Sequence, residues 1–315
     1  MDPSRSPADG KAALAIGLVG YGEVGRILGA ALAAHDGISV CAWDVLLRDP
    51  AWAPAMRVHA ASVRVAAMPG FAALLECADV VISAVTASQA EAVATEAART
   101  IRFGTWFLDL NSASPGTKVR SSALVDAAGG RYVEAAVMTS VPPYGIKVPM
   151  LLGGSCAGEL RELLAPLGFD MTVAAPKIGV ASAIKMCRSI IIKGLEALIV
   201  ESFTSARAYG VEERVLASLQ QTFPGLDWDE VGSYLFSRTA LHGKRRAEEM
   251  REVAVTVREI GLEPLLASAI AERQDWMAKQ KERVGLGLVA KGANWRDYAD
   301  RLLQTQGAAH KTSAD

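Results

Sequence analysis

The chain has 315 residues, of which 33 are Lys or Arg and 34 are Asp or Glu, so its net charge is close to zero. This balance provides no basic surface for nucleic acid or for an anionic membrane. The longest stretch without a charged residue, 135–146, has 12 residues and includes two prolines. A membrane-spanning helix needs roughly 20 apolar residues, so none is predicted. With 51% hydrophobic residues, the chain can bury a core in each of two ordinary domains.

The four cysteines are scattered along the chain and form no CxxC pair. Their spacing matches neither a zinc site nor a disulfide framework, so we expect no metal and a reducing compartment. The first residues also lack the apolar core of a secretion signal. The sequence therefore predicts a cytoplasmic protein that binds neither nucleic acid nor a membrane.

Six short apolar runs alternate with amphipathic stretches up to about residue 175. The runs are 14–19, 39–43, 80–85, 106–110, 132–137 and 150–152. Strands separated by helices predict an α/β fold with a mostly parallel sheet. From residue 179 onward the pattern is helical. A long helix over about 180–208 is apolar all round, which predicts burial, and shorter helices follow, bounded by glycine and proline.

These patterns predict two domains joined by the long central helix. The α/β domain covers 12–178, the all-helical domain covers 179–305, and flexible tails precede and follow them at 1–11 and 306–315.

A glycine-rich turn follows the first predicted strand and opens the next helix. Gly20 makes the tight turn, Gly22 lets the backbone approach a pyrophosphate, and Gly25 allows close helix–strand packing. The helix N-terminus then presents unpaired N–H groups to the phosphates. This pattern predicts a Rossmann-type dinucleotide site. The turn residues assigned to the cofactor are Gly20, Tyr21, Gly22, Glu23, Val24 and Gly25.

An acidic residue ends the second predicted strand. Asp44 lies 19 residues beyond Gly25, where a carboxylate can accept hydrogen bonds from both hydroxyls of an adenosine ribose. The same carboxylate would repel a 2′-phosphate, so NAD(H) is favoured. Arg48 could still bind that phosphate, which keeps NADP(H) open. The alternative interpretation is a glycine-rich turn with an ordinary turn aspartate.

Two further strand ends should flank the cofactor, because ligands bind at the carboxyl ends of strands in open α/β sheets. Val85 and Thr86 follow one strand, and Asn111 and Ser112 follow the next. We expect Val85, Thr86 and Asn111 to contact the cofactor. Asp109 is expected to orient a turn rather than to perform chemistry.

Lys185 lies near the start of the long apolar helix. Arg188 and Ser189 follow at i+3 and i+4 and share its face. Apolar surroundings lower the pKa of a lysine, which can then act as acid or base near neutral pH. The alternative is a lysine whose stem covers apolar surface while its ammonium reaches water.

A charged helix is predicted further along the chain. Arg238, His242 and Arg246 recur at four-residue steps and share a face. Arginines in this arrangement could bind the anionic end of a substrate. A solvated face with ion pairs such as Arg245 to Glu249 is the alternative.

Over roughly residues 12–208, the sequence resembles the β-hydroxyacid dehydrogenase / 6-phosphogluconate dehydrogenase superfamily. The elements that match in order are the glycine turn 17–25, the strand end 109–115, the loop 134–140 with 150–154, and the segment 179–185. The helical half resembles a poorly characterised branch of that superfamily.

The resemblance implies an NAD(P)-dependent oxidoreductase that acts on a small anionic hydroxy acid and forms a homodimer. Lys185 falls at the position of the catalytic lysine of the family. Ser112, Thr139 and Ser140 fall where the substrate carboxylate is held. The other substrate-binding candidates are Arg188, Ser189 and His242, the last also as a second proton carrier.

Two elements depart from the family pattern. The substrate loop usually reads Ser-Gly-Gly but is Met138-Thr139-Ser140 here, and an asparagine usually stands at the position of Ser189. The short substrates of the family therefore cannot be assumed. Two alternatives remain: an imine reductase on the same scaffold, whose members tend to lack the lysine, and a non-catalytic dinucleotide-binding module.

Overall fold

The computed structural model describes residues 14–289 and 292–311, so the tail predicted at 1–11 lies outside the described residues. The chain divides into two compact units, unit 1 (1–185) and unit 2 (186–315). The division falls inside the long helix, a little after the boundary predicted at 178.

Unit 1 contains eight strands. They are β1 (Leu14–Val19), β2 (Ile38–Trp43), β3 (Val65–Ala67), β4 (Val80–Ser83), β5 (Trp106–Asp109), β6 (Arg131–Val137), β7 (Met150–Gly153) and β8 (Met171–Ala175). They form one sheet in the order β3-β2-β1-β4-β5-β6-β7-β8, and within the described residues only the β6–β7 pair is antiparallel. The order of the first six strands is that of a Rossmann-type dinucleotide domain. The predicted parallel sheet is confirmed, although the sequence analysis missed β3 and β8.

Helices cover both faces of this sheet. They are α1 (Glu23–Leu32), α2 (Ala53–Ser62), α3 (Phe71–Cys77), α4 (Ala90–Ala97), α5 (Pro115–Ala127) and α6 (Ala157–Leu164). Successive strand residues belong to different cores, as for Leu18 and Val19 of β1. A parallel sheet buried on both faces needs this arrangement, and it brings the carboxyl ends of β1, β4 and β5 to one edge.

The long helix α7 (Val180–Tyr209) begins in unit 1 and continues into unit 2. The remaining helices are α8 (Glu212–Thr222), α9 (Trp228–Glu259), α10 (Leu265–Arg283) and α11 (Trp295–Lys311). The breaks after α7, α8 and α9 fall at the predicted Gly210, Pro224-Gly225, Gly261 and Pro264. The break between α10 and α11 was not predicted, and α9 is longer than the short helices expected. α11 continues past residue 306, into the segment that was expected to be a flexible tail.

One face of α7 is exposed. Ile191, Leu195 and Leu198 have 64%, 42% and 66% of their surface accessible, whereas Val200 and Phe203 pack into the core of unit 2. The prediction of a helix buried all round is therefore wrong for this face. None of the described helices, α7 included, is long and apolar enough to span a membrane.

Candidate active site

The glycine turn between β1 and α1 has the geometry that its motif predicts. Gly20 has a φ of +93°, a conformation that side chains disfavour, and a Cβ on Gly25 would lie 2.1 Å from the Gly20 carbonyl oxygen. At Gly22, by contrast, no described atom lies within 4 Å of the Cβ position. The turn therefore packs tightly where the helix meets the strand and stays open at the helix N-terminus. A dinucleotide phosphate fits this opening.

The side chains of the turn hold it in place. Tyr21 is buried, and its hydroxyl is hydrogen-bonded to Nδ1 of His59 at 3.1 Å. Burial raises the pKa of Tyr21, so its phenol stays protonated. Val24 packs against the core, while Glu23 is exposed in the first turn of α1. The turn therefore offers its backbone N–H groups, rather than its buried side chains, to a ligand.

Asp44 follows β2 and lies against this turn. Its Oδ2 accepts a hydrogen bond from the Tyr21 amide at 2.7 Å, and its Oδ1 accepts one from the Leu46 amide at 2.9 Å. Each oxygen keeps a further acceptor site for a ribose hydroxyl. The Arg48 guanidinium lies over the Trp43 ring, 5.6 Å from its centroid. Asp44 therefore caps a turn and can also bind a ribose, so the two interpretations are compatible.

Asn111 joins the ends of β4 and β5. Its Oδ1 accepts a hydrogen bond from the Val85 amide at 2.7 Å, and its Nδ2 donates to Oγ of Ser83 at 2.9 Å. Ala84 lies against Gly20, and Thr86 is exposed beyond it. These contacts fix both strand ends beside the glycine turn.

Lys185 reaches this edge of the sheet from α7. Its half-buried Nζ donates a hydrogen bond of 2.5 Å to Oγ of Ser112, which follows β5. Both residues belong to unit 1. The amine is thus held by a protein hydroxyl rather than only extended into water, and a group so placed can accept or return a proton at Nζ.

A buried ion pair that the sequence analysis missed supports the Ser112 loop. Lys118 Nζ lies 2.8 Å from Oδ1 of Asp109, and the Tyr132 hydroxyl donates to Oδ2 at 2.7 Å. The backbone N–H of Asn111 also donates a hydrogen bond to Asp109 Oδ1 at 2.8 Å, so Asp109 orients the turn as expected. Burial and the nearby Asp109 carboxylate raise the pKa of Tyr132 well above its ordinary value. No local pattern marks Lys118, because its partner lies on another element.

The remaining substrate candidates occupy varied environments. Thr139 is exposed and Ser140 half-buried on the loop after β6. In unit 2, Arg188 is exposed, while buried Ser189 accepts a hydrogen bond from Lys193 Nζ at 3.0 Å.

His242 lies among cations in unit 2. Burial, together with Arg238, Arg245 and Arg246 of α9 and Lys281 of α10, lowers the pKa of His242 to about 4. Near neutral pH the imidazole is therefore uncharged and has no acidic proton to give. A neutral imidazole can accept a proton but cannot give one as an acid, and the role of His242 as a second proton carrier stays a prediction.

The charged face of α9 is only partly solvated. Arg246 is buried, and its Nη1 lies 2.7 Å from Oε1 and 2.8 Å from Oε2 of Glu196. Gln274 Nε2 donates to Oε2 of the same carboxylate at 2.9 Å. Arg245 and Glu249 form the looser pair that the alternative predicted, at 3.8 Å. Arg246 is thus committed to a partner within unit 2.

The sequence matches two known families. Residues 15–143 match the NAD binding domain of 6-phosphogluconate dehydrogenase, and residues 206–277 match a domain of unknown function, DUF1932.

Three solved structures are similar to this chain. A conserved hypothetical protein of Sinorhizobium meliloti 1021 is 37% identical with a TM-score of 0.74, and the match covers 92% of this chain and 96% of that one. A conserved protein of unknown function, described as structurally similar to 3-hydroxyacid dehydrogenases, is 32% identical with a TM-score of 0.68, over 87% and 99%. The 3-hydroxyisobutyrate dehydrogenase of Mycobacterium tuberculosis, solved with L-serine, is 21% identical with a TM-score of 0.65, over 85% and 94%, and shows the fold alone.

The first two relatives share sequence with this chain over nearly their whole length. The chain therefore belongs to the β-hydroxyacid dehydrogenase / 6-phosphogluconate dehydrogenase superfamily, in a branch whose NAD-binding domain is followed by a DUF1932 domain.

Proposed function

We propose that this protein is an NAD(P)-dependent oxidoreductase that transfers a hydride between nicotinamide and a small hydroxy acid bearing an anionic group. The observation that carries the proposal is the 2.5 Å hydrogen bond from Lys185 to Ser112, at the sheet edge that also holds the open glycine turn. A nicotinamide dinucleotide bound at the turn supplies the hydride acceptor or donor.

Lys185 manages the proton in this proposal. When the alcohol is oxidised, neutral Nζ takes the hydroxyl proton as the carbon gives up its hydride, and the reverse reaction returns the proton from the ammonium form. Ser112 holds the amine in place between these events. Together with Thr139 and Ser140, it also offers hydroxyl donors to a substrate carboxylate.

We further propose that NAD(H) is the preferred cofactor. The carboxylate of Asp44 can accept hydrogen bonds from a ribose and repels a 2′-phosphate. Titration of the purified protein with NADH and with NADPH compares the two directly, and tighter binding of NADPH would reverse this assignment.

A turnover panel tests the proposed activity. The protein is incubated with oxidised cofactor and hydroxy acids, or with reduced cofactor and either keto acids or cyclic imines, and the nicotinamide absorbance is followed. We expect turnover of hydroxy acids or the matching keto acids. Turnover of imines alone would instead indicate an imine reductase. Tight NADH binding without turnover of any acid or imine would indicate a non-catalytic module.

We also infer that the protein forms a homodimer, as its superfamily resemblance implies. The exposed apolar face of α7, formed by Ile191, Leu195 and Leu198, supports this inference, because large exposed apolar patches mark association surfaces.

A further inference from the structure

A fully buried carboxylate lies at the N-terminus of α7. Glu134, on β6, accepts hydrogen bonds at Oε1 from the amides of Gly179 and Ala181, at 2.6 and 3.2 Å. Its Oε2 accepts from the amide and from the hydroxyl of Ser182, at 3.3 and 2.7 Å. Both oxygens act as acceptors, and the positive end of the helix dipole favours a negative charge there.

This carboxylate replaces a cap that α7 cannot supply itself. The residue before the helix is Gly179, with φ +96° and no side chain to receive the first N–H groups. Gly153 of β7 leaves the space that Glu134 needs, since a Cβ there would lie 2.3 Å from Oε1. The cap therefore ties the first turn of α7 to the sheet.

The strand register places this cap beside the support of the Ser112 loop. Glu134 of β6 pairs with Asp109 of β5. Asp109 holds the turn that leads to Ser112, while Glu134 holds Ser182, three residues before Lys185 and on the same side of the helix. Two neighbouring buried carboxylates thus fix the two ends of the hydrogen bond between Lys185 and Ser112.

We propose that Glu134 is a positioning residue that holds Lys185 within hydrogen-bonding distance of Ser112. Its importance for turnover rests on the proposed function, whereas its effect on the lysine does not. A neutral hydroxyl near the helix start could satisfy an N–H group without burying a charge, so helix stability alone does not require a carboxylate here. A carboxylate on a central strand also sets where the helix starts relative to Ser112.

Chemical labelling of the lysine amine tests this proposal without turnover. The folded protein is treated with a water-soluble acylating reagent over a range of pH, and modification of Lys185 is quantified by peptide mass spectrometry. The variants are Glu134→Gln, Ser182→Ala, Ser112→Ala and the Glu134→Gln/Ser112→Ala double variant. In Glu134→Gln, we expect Nζ to be released from Ser112, so the labelling rate of Lys185 should rise by about three- to tenfold. An effect of this size is typical of coupling between residues of one hydrogen-bond network. In the Ser112→Ala background the same change should add almost nothing.

Asp227→Ala is the control, because removing an N-cap side chain lowers stability. Asp227 also caps a helix, accepting from the Glu230 amide at 3.0 Å at the start of α9 in unit 2. We expect this variant to lose stability without a change in Lys185 labelling. An equal rise in the control would show a general loss of stability and would overturn the proposal.

Two further results would also overturn the proposal. One is an unchanged labelling rate of Lys185 in folded Glu134→Gln, and the other is an equal rise of that rate in the Ser112 and the Ser112→Ala backgrounds. If Glu134→Gln does not fold, Ser182→Ala takes its place, because it removes one of the four hydrogen bonds to Glu134. It is compared with and without Ser112→Ala and is held to the same criteria. Labelling that behaves as expected, in a protein that turns over no hydroxy acid, would refute the proposed function and leave the positioning role intact.

Discussion

Gly22 and Gly25 of the glycine turn differ in how much space they leave for the methyl group of an alanine. At Gly22 the Cβ position is open, whereas at Gly25 it lies 2.1 Å from the backbone of Gly20. Gly22→Ala should therefore change the free energy of unfolding by less than about 0.5 kcal/mol, as exposed substitutions do. It should still weaken NADH binding by about tenfold or more, or 1.4 kcal/mol, because the methyl group occupies the phosphate approach.

Gly25→Ala provides the comparison, since it should lower both the unfolding temperature and the affinity. Calorimetry and NADH fluorescence titration measure the two effects. Undiminished NADH binding by Gly22→Ala would show that the phosphates do not approach there.

His242 gives a pH-dependent prediction. Its pKa is lowered from 6.5 to about 4, so between these values the unfolded chain binds a proton that the folded protein does not. The contribution to stability is complete above pH 6.5 and is lost as the pH falls toward 4. The side chain is only half-buried, so solvent screens part of the interaction and we expect an effect of about 1 kcal/mol.

The histidine's contribution is isolated by comparing wild type with His242→Gln. Urea unfolding at neutral pH and near pH 4.5 gives the free energy of unfolding of each protein, which should fall more between the two pH values in the wild type. Without solvent screening, each unit of pKa shift would correspond to about 1.4 kcal/mol of this free energy. Parallel pH profiles for the two proteins would contradict the assigned shift.

Among the secondary-structure elements, three helices of unit 2 meet at one buried carboxylate. Glu196 of α7 binds Arg246 of α9 and Gln274 of α10. Arg246→Ala would leave this charge buried without its counter-ion, which should cost about 3–5 kcal/mol. Arg245→Ala is the control, because its exposed pair with Glu249 should contribute at most about 1 kcal/mol.

Chemical unfolding of both variants measures the difference. Replacing Glu196 and Arg246 together with methionine should recover much of the loss, because no charge then stays buried. Equal free energies of unfolding for Arg246→Ala and Arg245→Ala would show that the buried pair of Glu196 and Arg246 does not stabilise the protein.

The sequence predicts elements better than it predicts the contacts that align them. The apolar runs and the turn at Gly20–Gly25 identify the strands and the phosphate cradle, because both signals are local. β3 is a three-residue strand and gives no comparable run. The Lys118–Asp109 pair and the Glu134 cap were missed because their partners lie on different elements. Helical periodicity also does not reveal which face of α7 stays uncovered.

For the whole molecule, the exposed side chains of α7 predict self-association. Ile191, Leu195 and Leu198 lie within two turns of one helix and are largely uncovered. Light scattering coupled to size exclusion should give the mass of a dimer for the wild type. Leu198→Glu should shift the population toward the monomer, while Phe103→Glu, which alters an exposed apolar side chain in unit 1, should not. A wild type that is monomeric at all concentrations would contradict the inferred dimer.

The most consequential of the proposed roles is that of Lys185 as the proton carrier of a hydride transfer. The most direct measurement compares kcat/KM of the wild type and Lys185→Arg on the best hydroxy acid, with NADH affinity measured alongside. Arginine keeps the positive charge but cannot give up its proton near neutral pH. We predict a fall in kcat/KM of about 100-fold or more, the usual size of a general acid–base contribution, with NADH affinity unchanged. A variant that retains turnover close to that of the wild type would contradict the account.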